Sequence, residues 1–360
     1  MKSPMAAGWM AAAVLLLAGG CTNPEQVDRW GTKEQSYYDP AMPEASLNLA
    51  APIRPQAPPA EIRENAISIL LQAVESKNPL LRANAIEALT LAPEHLEPAV
   101  RKGLADENRG VRFVAAMSVG RQRLISSAHL LKPLLVDESR SVRAAAIFGT
   151  HACGRPVDLN PLAAMLGSAD PEVKANAAMA LGELGNPTAI PMLRQAVGQN
   201  TSQMTPAKAK MVDLQLAEAM VMLGAEQQIE PIRAALFNRA EEAELSVLAC
   251  QICGRLRDRH AVPDLNNILA YEGRFRRPAE LRMAAIAALA QIDPSWAVTD
   301  VPMAYASHKQ YTLRAQAALT LGTLADPVSL PVLATMLSDP HPVVQVSAAG
   351  AILRICSSLP

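Results

Sequence analysis

Val173-Lys174-Ala175-Asn176-Ala177-Ala178-Met179-Ala180-Leu181-Gly182 is the stretch on which the reading of this chain turns. Similar segments begin at Leu81, Val111, Val142, Gln215, Leu245, Leu281, Leu313 and Val344. Each carries alanine at the fifth place: Ala85, Ala115, Ala146, Ala177, Ala219, Ala249, Ala285, Ala317 and Ala348. Successive alanines stand 30, 31, 31, 42, 30, 36, 32 and 31 residues apart, so one unit recurs nine times. The sixth place is always apolar (Ile86, Ala116, Ile147, Ala178, Met220, Cys250, Ile286, Ala318, Ala349).

The fourth unit shows what the repeat is. Leu159 to Ser168 predicts one helix, Asp170-Pro171 stops and restarts the chain, and Glu172 to Leu184 predicts a second. On the second helix Val173, Ala177, Leu181 and Leu184 share a face at helical spacing. Ala175, Ala178 and Gly182 share an adjacent face, small enough for a neighbouring helix to come close. A hairpin that is apolar on two sides is stable only when stacked on others, which predicts an all-α, right-handed α-solenoid of nine helix pairs over residues 60–360. A spacing near 31 leaves no room for the third helix of an armadillo-like unit.

Composition agrees. Of 360 residues, 50% are hydrophobic and only 3% aromatic, which suits close-packed helices better than aromatic-rich β-sandwiches. A net charge of -1 excludes a broad nucleic-acid footprint. The length exceeds what one compact core usually fills, roughly 250–300 residues, and fits an extended array.

The units resemble HEAT repeats, in particular the short bacterial form named after phycobilisome lyases. The resemblance covers about Ala60 to Ser358 and is carried by Asp170-Pro171-Glu172-Val173-Lys174 with the run to Gly182. Leu80-Leu81-Arg82, Gly110-Val111-Arg112, Ser141-Val142-Arg143, Glu280-Leu281-Arg282 and Thr312-Leu313-Arg314 repeat its opening. Leu216, Ser246 and Gln345 replace the basic residue in units five, six and nine, and His151 stands in unit three where others often have Gly.

The first 20 residues read as a sorting signal: Lys2, an apolar run from Met5 to Leu17, and small residues before Cys21. That run is shorter than the roughly 20 residues a membrane span takes. Leu17-Ala18-Gly19-Gly20-Cys21 resembles the lipobox of bacterial lipoproteins, with the leucine one place further from the cysteine than usual. The resemblance implies acylation of Cys21, a signal peptide over 1–20, and extracytoplasmic placement in the cell envelope, with Thr22 leaning toward the outer membrane. Residues 21–59, rich in Pro, Ala, Glu and Gln, read as a semi-extended tether.

Little in the sequence points to catalysis. Cys250-Gln251-Ile252-Cys253 has redox-dithiol or half-zinc-site spacing, but its cysteines occupy places filled by Ala178 and Leu181 in unit four and read as core. His95, His129, His151, His260, His308 and His341 are scattered singly, and there is no H-E-x-x-H, G-x-G-x-x-G or P-loop. No enzyme, metal or cofactor is expected. The basic ladder Arg82, Arg112, Arg143, Lys174, Arg282 and Arg314 reads as structural, with Asp106, Asp137 and Asp170 just upstream of three of its members and fixing the turns.

Two features suggest binding. The seventh place, commonly Glu in HEAT repeats, is Met117, Phe148, Met179 and Val221 in units two to five. On second helices lining a concave side, these would form a solvent-facing apolar stripe rimmed by Arg121, Glu183 and Arg255. Truncating Met117, Phe148 and Met179 together is then expected to abolish capture of a protein or extended peptide and leave helicity intact. The second feature is two insertions between first and second helices, Gln199 to Thr205 in unit five and Gly273 to Pro278 in unit seven. The latter holds the basic-aromatic cluster Arg274, Phe275, Arg276 and Arg277. The expected function is a membrane-anchored protein-binding scaffold. The alternatives are an accessory or lyase-like subunit of an enzyme system and a spacer with no specific ligand.

Overall fold

The structure, a computed structural model, describes residues 57–238, 242–271, 276–296 and 298–359. The signal stretch, Cys21 and the tether up to residue 56 lie outside the described residues, as do Arg274 and Phe275.

All regular structure among the described residues is helical. Units one and two comprise α1 (Pro59–Val74), α2 (Pro79–Leu89), α3 (Pro93–Leu104) and α4 (Arg109–Gln122). Unit three pairs two 3-10 turns (Ala128–Leu131, Pro133–Val136) with α5 (Arg140–Ala152), because Pro133 supplies no N–H to continue a helix. Units four to six follow as α6 (Asn160–Leu166), α7 (Pro171–Leu184), α8 (Ile190–Ala196), α9 (Pro206–Met222), α10 (Glu230–Ala234) and α11 (Ala243–Arg255). The last three are α12 (Val262–Ala270), α13 (Ala279–Ile292), α14 (Asp300–Tyr305), α15 (Tyr311–Leu324), α16 (Leu330–Met336) and α17 (Pro342–Ser358). The second helices start as expected: the side chains of Asn78, Asn108, Ser139, Asp170 and Thr205 each accept a backbone N–H of the turn they cap.

The nine fifth-place alanines are at most 1% exposed. The small-residue face works as the spacing predicts. A Cβ on Gly182 would stand 3.1 Å from the Cα of Ala219, and one on Gly322 only 2.6 Å from the Cα of Ala351. Successive second helices therefore touch nearly backbone to backbone.

That contact runs all the way round. Each second helix packs on the next from α2 to α17, and α17 packs in turn on α1 and α2. Ile62, Ala66 and Leu70 of α1 share one buried apolar core with Ala349, Ile352 and Ile355 of α17. At the outer end of the same seam, Cys356 Sγ lies 3.8 Å from the carbonyl oxygen of Pro59. The solenoid's ends meet and the nine pairs form a closed ring, with the second helices inside. The open concave groove implied by the resemblance is absent among the described residues, because the end units have no other surface on which to bury their apolar faces.

The basic ladder is structural, with partners other than the sequence suggests. Arg82 donates through Nε and Nη2 to Asp106 at 2.7 Å each, and Nη1 donates to the carbonyls of Ser76 and Lys77. Arg112 does the same to Asp137 (2.8 and 3.0 Å), and Arg314 to Asp339 (2.7 and 2.8 Å). Each aspartate thus pairs with the arginine of the preceding unit, not with the basic residue just after it, and ties consecutive units together. Lys174, which has no such aspartate, is buried and donates to the carbonyls of Ala196 and Gln199 at the end of α8. Removing one partner of a buried pair of this kind costs about 3–5 kcal/mol, far more than an exposed pair. Arg282 is buried too, but its Nε and Nη1 have no hydrogen-bond partner among the described residues.

The helix that closes the ring begins at a histidine. Nδ1 of His341 accepts the Val343 N–H at 3.3 Å, the His341 backbone N–H donates to Asp339, and the ring stacks on Tyr311 at 3.5 Å between centroids. Burial lowers its pKa, Asp339 pulls the other way, and Arg314 lowers it further. The unfolded chain therefore takes up a proton that the folded one resists, so stability holds above the ordinary histidine pKa of about 6.5 and falls as pH drops below it. Thermal unfolding followed across that range will show this loss, and His341→Asn, which keeps a cap acceptor without the titration, will flatten it.

Candidate functional site

The inner face of the ring is set by the seventh and eleventh places of the repeat. Met117 and Phe148 are 1% and 4% exposed, packed in the core, while Met179 and Val221 are half-buried. The expected solvent-facing stripe does not form. Adjacent second helices come so close that Phe148 covers Gly120, whose added Cβ would lie 2.6 Å from its ring.

The expected polar rim is an internal ionic layer. Arg121 donates to Glu183 at 2.6 Å, reaching across unit three, whose eleventh place is the small Ala152. Arg255 donates to Glu218 at 2.7 and 2.8 Å, and both side chains are under 8% exposed. Burial alone would depress the Arg121 guanidinium, but Glu183 and Glu87 together raise it above its ordinary value. For Arg354 burial outweighs the pull of Glu87, and its pKa is lowered. These six groups come from units one, two, four, five, six and nine and balance in charge. They are poor candidates for a partner's grip, because exposing them would strip paired charges of their partners.

The loop edge bearing the insertions is different. Val197, Phe237 and Tyr271 are exposed, each at the end of the first arm of units five, six and seven. The Arg277 guanidinium stands 5.2 Å from the Tyr271 ring centroid, a cation–π distance, and Arg276 is exposed beside it. Of the predicted cluster these two arginines are placed, on the edge expected. Reading the sequence for periodicity missed Val197, Phe237 and Tyr271. Their signal is a large apolar residue in the turn where unit one carries Glu75 and unit four Gly167, a place that the exposed Val136 also fills in unit three.

Cys250 and Cys253 are core, as their register implies. Both are fully buried; desolvation pushes Cys250 well above the ordinary thiol range and Cys253 up to about 12. Thiols held protonated in this way are neither nucleophiles nor ready metal ligands.

Truncation of the buried inner residues is therefore a stability experiment. Phe148→Ala will lower the unfolding free energy by about 3–5 kcal/mol in a denaturant titration. A variant as stable as the parent would return Phe148 to the surface.

The HEAT repeats family model matches residues 67–149, 127–211, 159–236 and 274–352. No curated protein matches the sequence. Among solved structures the chain is similar to human deoxyhypusine hydroxylase in complex with glycerol, at 18% identity over 82% of this chain and 97% of that one, TM-score 0.35. YibA of Escherichia coli is 17% identical over 83% and 97%, TM-score 0.30. Kap121p bound to Pho4p is 11% identical over 78% and 38%, TM-score 0.30. Likenesses this remote leave the assignment to the matched repeats and the geometry of the hairpins. The chain belongs to the HEAT-repeat family.

Proposed function

We propose that this chain is a lipid-anchored, non-catalytic scaffold of the cell envelope, holding a protein partner on the loop edge of units five to seven. The observation that carries the reading is the contrast between the two surfaces. Met117 and Phe148 inside the ring are spent on packing, whereas Val197, Phe237 and Tyr271 outside it are exposed on three consecutive units beside Arg276 and Arg277. Aromatic and arginine side chains at a mixed apolar and charged edge are the residue types that dominate protein–protein hot spots. HEAT arrays are recognition surfaces more often than catalysts, and an edge spread over several units suits an extended contact. Within the family we assign the chain to the short bacterial form, on its repeat spacing near 31 and on Asp170-Pro171-Glu172-Val173-Lys174.

The anchor rests on Cys21 and its small-residue approach. Several acyl chains on one cysteine bind a bilayer stably, because each buried methylene contributes about 0.8 kcal/mol. Thr22, in place of Asp, favours the outer membrane. Residues 21–59 would then hold the ring off the bilayer.

One experiment in intact cells tests both parts. A photo-reactive residue on the unit-six turn of the full chain will cross-link a partner in the membrane fraction. The double variant Phe237→Ser, Tyr271→Ser will lose at least most of that yield with unchanged helicity, and Cys21→Ala will move the chain to the soluble fraction. Undiminished cross-linking by the double variant refutes the edge, and membrane retention of Cys21→Ala refutes the anchor.

A further inference from the structure

At the seam where the ring closes, α2, α15 and α17 leave a cavity of about 30 Å³. Its wall includes Asn84 and Glu87 from unit one, Thr323 from unit eight, and Ser347, Gly350 and Arg354 from unit nine. Gly350 makes the room, standing where other units carry larger residues at the seventh place. Asn84 and Ser347 are 5% and 3% exposed, yet Asn84 Oδ1 and Ser347 Oγ have no hydrogen-bond partner among the described residues. Each such buried group costs about 1–3 kcal/mol, so two in one cavity call for a ligand.

From this arrangement we propose that the seam cavity is a pocket for a neutral primary carboxamide, the head group of an asparagine or glutamine side chain. Size comes first. One water occupies about 10–15 Å³ of such space, so the cavity takes two or three heavy atoms. A carboxamide group has three. Charge comes second. Glu87 and Arg354 lie on the same wall with opposite signs, so an ion of either sign meets one attracting and one repelling group and gives up its hydration without return. A neutral dipole escapes that penalty. Hydrogen bonding comes third. Asn84 Oδ1, unpartnered among the described residues, accepts one N–H of the amide. The Ser347 hydroxyl, also unpartnered among the described residues, donates to its carbonyl. Apolar Ala88, Leu319, Val346 and Ala351 on the same wall suit the attached methylene. The pocket lies on the inner face, apart from the loop edge, and stands or falls independently of it.

The test uses the full chain labelled with ¹³C at alanine methyls, titrated with acetamide, acetate and acetamidinium, three near-isosteres of charge zero, minus one and plus one. Acetamide will shift the Ala88 and Ala351 methyl signals saturably, and either ion will bind about ten-fold more weakly or worse, the ratio that corresponds to 1.4 kcal/mol. Gly350→Ala puts a methyl 3.2 Å from the Ala88 Cβ, into the cavity, and will abolish the response. Ser347→Ala, which removes one donor without adding bulk, will weaken it. The proposal is overturned if acetamide gives no saturable shift, which would leave ordered water as the occupant, if the ions bind as well, or if Gly350→Ala binds like the parent.

Discussion

Everything in this molecule depends on a helix hairpin that is apolar on both flanks. Alanines at the fifth place and small residues beside them let second helices approach almost to backbone contact, and that closeness leaves each unit incomplete without a neighbour on either side. Solenoids usually resolve the problem at their ends with polar capping units. Here the end helices are not polar. Ile62, Ala66 and Leu70 on α1 need cover, and Ala349, Ile352 and Ile355 on α17 provide it. Burying an isoleucine or leucine contributes about 1.5–3 kcal/mol, so a handful of such residues at the seam rivals the net stability of a whole domain.

Closure redistributes the roles of the two surfaces. In an open array the inner helices would offer a groove. In the ring they face one another, and their apolar members join the core. Longer charged side chains at the eleventh place bridge units in balanced pairs, as Arg121 does with Glu183 and Arg255 with the fourth-place Glu218. The rim differs: two insertions lengthen its turns, and Val197, Phe237 and Tyr271 are exposed there, as is Val136 at the same place in unit three. Insertions there are tolerated because a longer loop costs little closure entropy.

The repeat, its phase and the helix boundaries of unit four were legible from the sequence because they rest on local rules, whereas the 3-10 turns of unit three's first arm were not. Asp170-Pro171 stops and restarts the chain where proline geometry requires, and α7 ends at Leu184 as its apolar spacing implies. The register of Cys250 and Cys253 against Ala178 and Leu181 was enough to place them in the core. Ring closure was not legible, because it depends on a small rotation between units summed nine times, which no single segment encodes. The misplaced stripe has a nearer cause: Met117 and Phe148 look solvent-facing on one hairpin and are buried once the adjacent second helices stack closely. The aspartate ladder was half legible for a related reason. The residue types at the turns announce ion pairs, but Asp106 reaches back to Arg82, a choice made by stacking and not by proximity in sequence.

Closure itself is open to a direct chemical measurement. With Cys21 replaced by serine, Pro59→Cys places a second thiol beside Cys356, whose sulfur already lies 3.8 Å from the residue 59 carbonyl. On mild oxidation the two ends will join within one chain, giving a monomeric product at a rate independent of protein concentration, with the circular dichroism of the parent. A disulfide that forms only between chains, or only after unfolding, would mean that the first and ninth units stand apart and that the array is open.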